Sequence, residues 1–292
     1  MSALDKTLQK LESLIQSGNI NWDYGFDLRN KNYHTGRHYS GIFNNIVLSM
    51  TKASCNYKYP YWIGFGQAIK SYIPVKQGEK GTPIMCKQYK KLFFDETTGM
   101  EIDSEDANSN SRCQEKSFWS TVYVFNIEQT SIDIDSVNQM AFSEKPEELE
   151  KLLDKYCTRE NIVLADDSSD YPYYSPKEDR ISLVPKERYY DLVAYYEAWT
   201  HECVHSTGHE KRLNRELQTR DKDKYDNEEI VAEFGTMLLL SEFDIEHREK
   251  DRAAYISSYL HGAEVKSIYD LCILAQKAVD YIRKGKNEHI SI

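Results

Sequence analysis

Residues 201–209 read HECVHSTGH. Within them, His201-Glu202-Cys203-Val204-His205 fits H-E-x-x-H, a spacing that sets two imidazoles one helical turn apart, on the same face. Two such rings can share a zinc ion, and the glutamate between them stands where it can take a proton from a water. A catalytic zinc usually has three protein ligands and one open position, so a third donor must come from elsewhere. His209 is four residues beyond His205, but Gly208 interrupts the helix before it. Lys211 occupies the last position of H-E-x-x-H-x-x-G-x-x-H and cannot ligate while protonated.

A better source of the third donor is DNEEIVAEFGTMLL, residues 226–239. Glu229 and Glu233 lie four apart among Ile230, Phe234, Met237 and Leu238, so a helix would carry both on one face. One acid as ligand and the other steering a ligand histidine is an arrangement suited to a two-histidine, one-glutamate centre. We take Glu229 as the ligand and Glu233 as the orienting group; the spacing also allows the exchange. Asp226 and Glu229 also fit a helix cap, which is the structural alternative for Glu229. Glu233 resists that reading, because a lone carboxylate within an apolar stretch is expensive to bury. The implied chemistry is hydrolysis, with Glu202 as general base and a peptide bond as the default target. Zinc is the expected metal, and manganese or cobalt suits the same donors.

The elements that must position these groups follow from periodicity. Apolar residues from Tyr189 to Thr207 recur at three- and four-residue spacing, which predicts a buried helix with Pro185 near its start. PEELEKLLDKYCTREN predicts another helix, and ADDSSDYPYYSPKEDRISLVPKE a loop with a strand pair. Helices are also expected over residues 3–16, in GIFNNIVLSMTKA, in YPYWIGFGQAIKSY after Pro60, and over 253–284, where Tyr255, Tyr259 or His261 could reach the cleft. VKQGEKGTPIMCKQYKKLFF predicts a turn between two strands, with TPIMCKQYKKLFF as the second, FWSTVYVFNIEQT a strand, and the acidic 95–116 segment an exposed loop. These blocks divide the chain into residues 1–132, a linker at 133–145, and residues 146–292.

The net charge of -10 conceals a segregation. Residues 29–91 hold eleven Lys/Arg and one acid, leaving 26 basic and 46 acidic residues for the other 229. Ten aromatics are interleaved with those cations. Cations for a phosphate track and aromatic faces for unpaired bases are the ingredients of single-strand binding. Tyr39, Tyr61 and Trp62 are the stacking candidates; Arg37, Lys76, Lys80, Lys87 and Lys90 are the phosphate candidates. No apolar run approaches the ~18 residues of a membrane span. The N-terminal helix pattern lacks the plan of a secretory signal. Six scattered cysteines suit reduced thiols in a cytoplasm.

Both halves resemble one known family. GRHYSGIFNNIVL, YPYWIGFGQAI, VKQGEKGTPI and VYVFNIEQT resemble the single-stranded-DNA-binding domain of ArdC-type antirestriction proteins. YYSPKEDRISLVPKE, YYEAWTHECVHSTGHEKRLNR, EEIVAEFGTMLL, AAYISSYL and AQKAVDYI resemble that family's zincin-like metallopeptidase domain. The resemblance implies an α+β protein of two domains: a small α+β domain for single-stranded DNA, then a mainly helical metallopeptidase domain with a small sheet. It also implies a plasmid or phage protein that protects incoming DNA from restriction. The family's Tyr-x-Gly-x-Asn pattern stands here as Tyr39-Ser40-Gly41-Ile42-Phe43-Asn44, with Phe43 where Asn is common, which leaves Asn44 or Asn45 as the candidate DNA contact or removes that contact. Ser206 replaces an aromatic after the second histidine. The alternative is a DNA-protecting protein whose zincin domain is only structural.

Overall fold

The computed structural model describes residues 1–17, 27–105, 108, 111–137, 144–166, 170–217, 222–246, 256, 258–260 and 262–284. Its elements are α1 (Ala3–Ser17), β1 (Lys31–Asn32), α2 (Ile42–Ser54), β2 (Tyr61–Gly64), α3 (Phe65–Lys70), β3 (Thr82–Asp95), β4 (Glu101–Ile102) and β5 (Ser111–Asn126). These are followed by α4 (Pro146–Glu160), β6 (Val163–Asp166), β7 (Tyr173–Ser175), β8 (Arg180–Leu183), α5 (Leu192–Thr207), α6 (Lys222–Glu242) and α7 (Val265–Lys284). A five-stranded sheet in the order β1-β2-β5-β3-β4 belongs to the first half, and a three-stranded sheet, β6-β8-β7, to the second. The fold is α+β, with a sheet domain first and a largely helical domain after it.

One hydrophobic core joins the halves. Leu11 and Leu14 of α1, with Ile42, Ile46 and Met50 of α2, belong to the same buried cluster as Leu153, Trp199, Phe234 and Val279 of the C-terminal helices. In α5 the burial is not confined to a stripe: nearly every residue from Val193 to Thr207 is buried. Such a helix must be fixed at both ends by internal partners. Asp191 caps it by accepting from the Ala194 amide at 2.8 Å, so it starts at Leu192 rather than beside Pro185. Pro185 precedes a separate 3-10 turn, Lys186–Arg188. At the far end, Arg212 donates to the Ser206 carbonyl at 2.6 Å and pairs with Asp179.

Three expected elements differ. YPYWIGFGQAIKSY is a strand followed by a short helix, split at Gly64, because Tyr61, Trp62 and Ile63 are buried as the β2 strand. Residues 76–81 do not join two strands; only Val75 bridges, to Thr130, before β3 begins. The acidic 95–116 segment is no simple loop but the end of a hairpin in which β3 and β5 pair from Thr82↔Val124 out to Asp95↔Ser111. The turn from β3 into β4 is closed by Asp95, whose carboxylate accepts from the Thr97 and Thr98 amides, with Gly99 at φ 68. Solvent bathes this arm, so no alternating apolar pattern marks it as strand. Among the described residues, no helix is long and apolar enough to cross a membrane.

Candidate metal centre

Helices α5 and α6 meet at a glycine. A Cβ on Gly235 would lie 2.9 Å from Cγ1 of Val204, inside H-E-x-x-H. This close approach sets the first turns of α6 against the paired histidines. His201 Nε2 and His205 Nε2 lie 3.0 Å apart. The Glu229 carboxylate is 3.5 Å from the first and 3.6 Å from the second. Among the described residues, His201, His205 and Glu229 form a group whose donor atoms lie within 4.8 Å of one another.

The other ring nitrogens are also held. His201 Nδ1 is 3.1 Å from Glu233, and His205 Nδ1 is 3.3 Å from Glu228. A carboxylate on each Nδ1 keeps the proton there and turns the Nε2 lone pair inward. Two lone pairs and an anionic oxygen then converge on one point, a donor set that fits a divalent cation. Protons are the alternative occupant, and the electrostatics show how strongly positive charge is wanted. Burial alone would pull the His205 pKa down, yet its hydrogen bonds with Glu228 and Glu229 push it up to about 10. His201 rises too, against its own burial, through the charge of Glu233 and the hydrogen bonds its ring donates to Glu229 and Glu233. Burial raises the Glu229 carboxyl, but hydrogen bonds from both histidines outweigh it and hold that group well below the usual range.

Glu202 follows His201 and is 6% exposed. Its charge acts on both His205 and Tyr225. Tyr225, in the first turn of α6, is 53% exposed, and the charge of Glu229 raises the pKa of its hydroxyl. Ser206 points away, into the core, where the Tyr156 hydroxyl meets it at 2.8 Å. His209 is elsewhere: its Nε2 lies 3.2 Å from the Pro176 carbonyl, and Lys211 is exposed.

Sequence reasoning missed Glu228 and Arg215. Arg215 Nε and Nη2 donate to the two oxygens of Glu228 at 2.9 and 2.7 Å, and Nη1 and Nη2 also reach Thr207 Oγ1 and the Val204 carbonyl. Thus Glu228 is locked before it meets His205. The only hint was the Glu228-Glu229 doublet, whose adjacent acids reach the two ring nitrogens of His205.

The DNA candidates divide. Tyr61 and Trp62 are 1% and 0% exposed, and Trp62 donates to Asn30 at 2.8 Å. Both are core groups with no face for a base, so that expectation is corrected. Asn44 is likewise turned inward: its amide donates to the Met85 carbonyl at 2.7 Å and accepts from the Met85 amide at 2.9 Å. Tyr39 is half-buried and receives a hydrogen bond from Asn32. Arg37, Lys76, Lys80 and Lys90 are exposed, and Lys87 is partly so. Tyr255 and His261 lie outside the described residues. The hydroxyl of Tyr259 donates to Asn227 at 2.7 Å.

Comparison with known proteins agrees with this layout. Residues 3–125 match the model of the N-terminal domain of anti-restriction factor ArdC, and residues 149–266 match that of a zincin-like metallopeptidase. An Escherichia coli DNA primase TraC is 28% identical over 267 residues, 88% of this chain but 24% of the relative. A second TraC from Escherichia coli is 27% identical over 294 residues, 94% of this chain and 19% of that protein. The chain therefore spans about a quarter or less of those relatives. In fold, it is similar to the crystal structure of antirestriction ArdC protein from plasmid R388. The metal-free form has a TM-score of 0.64 at 24% identity, covering 96% of this chain and 97% of that one. The Mn(II)-bound form has a TM-score of 0.63 at 24% identity, covering 98% and 99%. With both family models matched in order across most of its length, the chain joins an N-terminal domain of the ArdC anti-restriction family to a zincin-like metallopeptidase domain.

Proposed function

We propose that this chain is a single-stranded-DNA-binding antirestriction protein of a plasmid or phage, working in the cytoplasm, whose C-terminal domain hydrolyses a protein met on or near the DNA. Residues 1–132 would serve DNA, 133–145 link, and 146–292 carry the peptidase. The observation behind the enzyme reading is the inward convergence of His201 Nε2, His205 Nε2 and Glu229 while Glu233 and Glu228 hold both Nδ1 atoms. His201, His205 and Glu229 would hold one zinc, with manganese or cobalt fitting the same donors. Zinc bound there supplies Lewis-acid polarisation of a carbonyl and lowers the pKa of water toward ~7.

The chain's own groups do the rest. Glu202 accepts the proton of the attacking water and passes it to the leaving amine. Glu233 and Glu228 keep the two rings oriented. The exposed cations near the sheet, Arg37, Lys76, Lys80, Lys87 and Lys90, would follow a phosphate backbone, with Tyr39 beside them. Binding through such contacts weakens steeply as salt rises.

Glu202→Gln tests the hydrolytic part. It removes the base without touching a proposed ligand, so metal content and DNA affinity should match wild type while protection against restriction is lost. Protection that survives intact would assign the zincin domain a structural role.

A further inference from the structure

A cleft of about 940 Å³ lies between the N-terminal sheet, α3 and α7. Clefts for small ligands run from roughly 300 to 1,000 Å³, so this one has room for more than one nucleobase. None of His201, His205 and Glu229 lines it. Phe65, Tyr89, Trp119 and Tyr123 do line it, and they are 56%, 59%, 48% and 48% exposed. Four large rings left about half in water around one hollow form an apolar surface of the kind that marks a binding site. Phe118, 49% exposed and adjacent to Trp119 in β5, does not line the cleft, so exposure alone does not place a ring there.

Charge narrows the choice of occupant. Lys70 and Lys87 line the cleft. Lys87 sits opposite Trp119 in the β3–β5 ladder, with its ammonium 6.0 Å from the Tyr89 ring centre. The acids on the α7 side are already engaged: Glu242 pairs with Arg283, and Asp280 accepts from Gln276 at 3.0 Å and pairs with Arg283. With those acids paired, Lys70 and Lys87 make the lining basic. Cations beside exposed aromatic faces match an anionic chain that carries flat rings, and a duplex hides those rings in its stack.

We infer that this cleft receives the bases of single-stranded DNA, stacked on Tyr89, Trp119 and Tyr123, with Lys70 and Lys87 on the phosphates. The site rests on the single-strand reading above and relocates its stacking surface from Tyr61 and Trp62 to residues not among the original candidates. Its far wall is α7, a helix of the peptidase half, so both halves would touch the same DNA.

The test uses the full chain with a fluorescein-labelled oligo-dT, read by anisotropy, and a bromodeoxyuridine oligonucleotide for photocrosslinking. Trp119→Ala and Tyr123→Ala should each raise Kd about 5- to 150-fold, the range for losing one base–aromatic stack. Phe118→Ala should stay within about twofold. Crosslinks should map to Trp119 or Tyr123. Bound metal, retained at wild-type content, shows that each variant is folded. Wild-type affinity in Trp119→Ala and Tyr123→Ala, or a loss confined to Phe118→Ala, overturns the cleft while leaving single-strand binding in place. Failure of the wild-type chain to bind any single strand overturns the reading beneath it.

Discussion

Replacing Glu228 with Ala tests whether the centre depends on how its histidines are held. Glu228 lies 3.3 Å from His205 Nδ1 and receives two bonds from Arg215. Its loss frees the His205 ring to rotate and to carry its proton on either nitrogen, so the inward lone pair is no longer enforced. Loss of an orienting partner of this kind weakens metal binding about 10- to 100-fold, or roughly 1.4–2.7 kcal/mol. Stability falls separately. The Arg215 side chain is 8% exposed and keeps Thr207 Oγ1 and the Val204 carbonyl, but loses the carboxylate of Glu228. Breaking a buried pair from one side costs about 3–5 kcal/mol. Glu228→Gln retains an acceptor for Nδ1, so metal affinity should drop less than in Glu228→Ala. Competition with a zinc chelator measures the first quantity and urea denaturation of the metal-free protein the second. Unchanged zinc affinity in Glu228→Ala would refute the orienting role, whatever happens to stability.

Gly235→Ala should weaken both stability and metal binding, because its new Cβ meets Val204 at 2.9 Å; overpacking of this kind costs about 1–3 kcal/mol, read by thermal unfolding with and without zinc. Asp179→Ala leaves Arg212, 4% exposed, without its carboxylate, for a loss of about 3 kcal/mol. Burial raises the Asp179 carboxyl, but hydrogen bonds from Arg212 and Tyr174 outweigh it and set its pKa below the ordinary value. A depressed folded-state pKa gives stability that is present above the unfolded value of ~3.9 and is lost as pH falls through the folded one. The acid limb of unfolding between about pH 5 and 2 should therefore be shallower in Asp179→Ala than in wild type. Asn44→Ala leaves both backbone groups of Met85 without their partner, which costs about 1–3 kcal/mol; DNA affinity of the folded variant should be unchanged, and a selective loss of affinity would make Asn44 a contact.

What could be read from the sequence, and what could not, follows from locality. His201 and His205 needed only a helix, and the helix followed from apolar spacing. Glu229 and Glu233 needed a second helix and the cost of a buried carboxylate. Glu228 escaped because its role comes from Arg215, brought to it by the turn after α5, and no local pattern records such a meeting. Tyr61 and Trp62 were read as binding groups because they are aromatic and lie among cations. A short run of bulky residues cannot be told apart as buried strand or exposed helix by periodicity alone. The first half of β5, residues 111–117, was missed for the opposite reason: nearly all of its side chains are exposed, so its pairing with β3 depends on backbone bonds that composition does not encode.

The most direct measurement is elemental analysis of the purified chain beside His201→Ala and Glu229→Ala. One zinc, manganese or cobalt ion per wild-type chain, lost from both variants while their fold persists by circular dichroism, is the expected result. A wild-type chain that takes up no divalent metal, or variants that keep the full complement, would contradict a centre built on His201, His205 and Glu229.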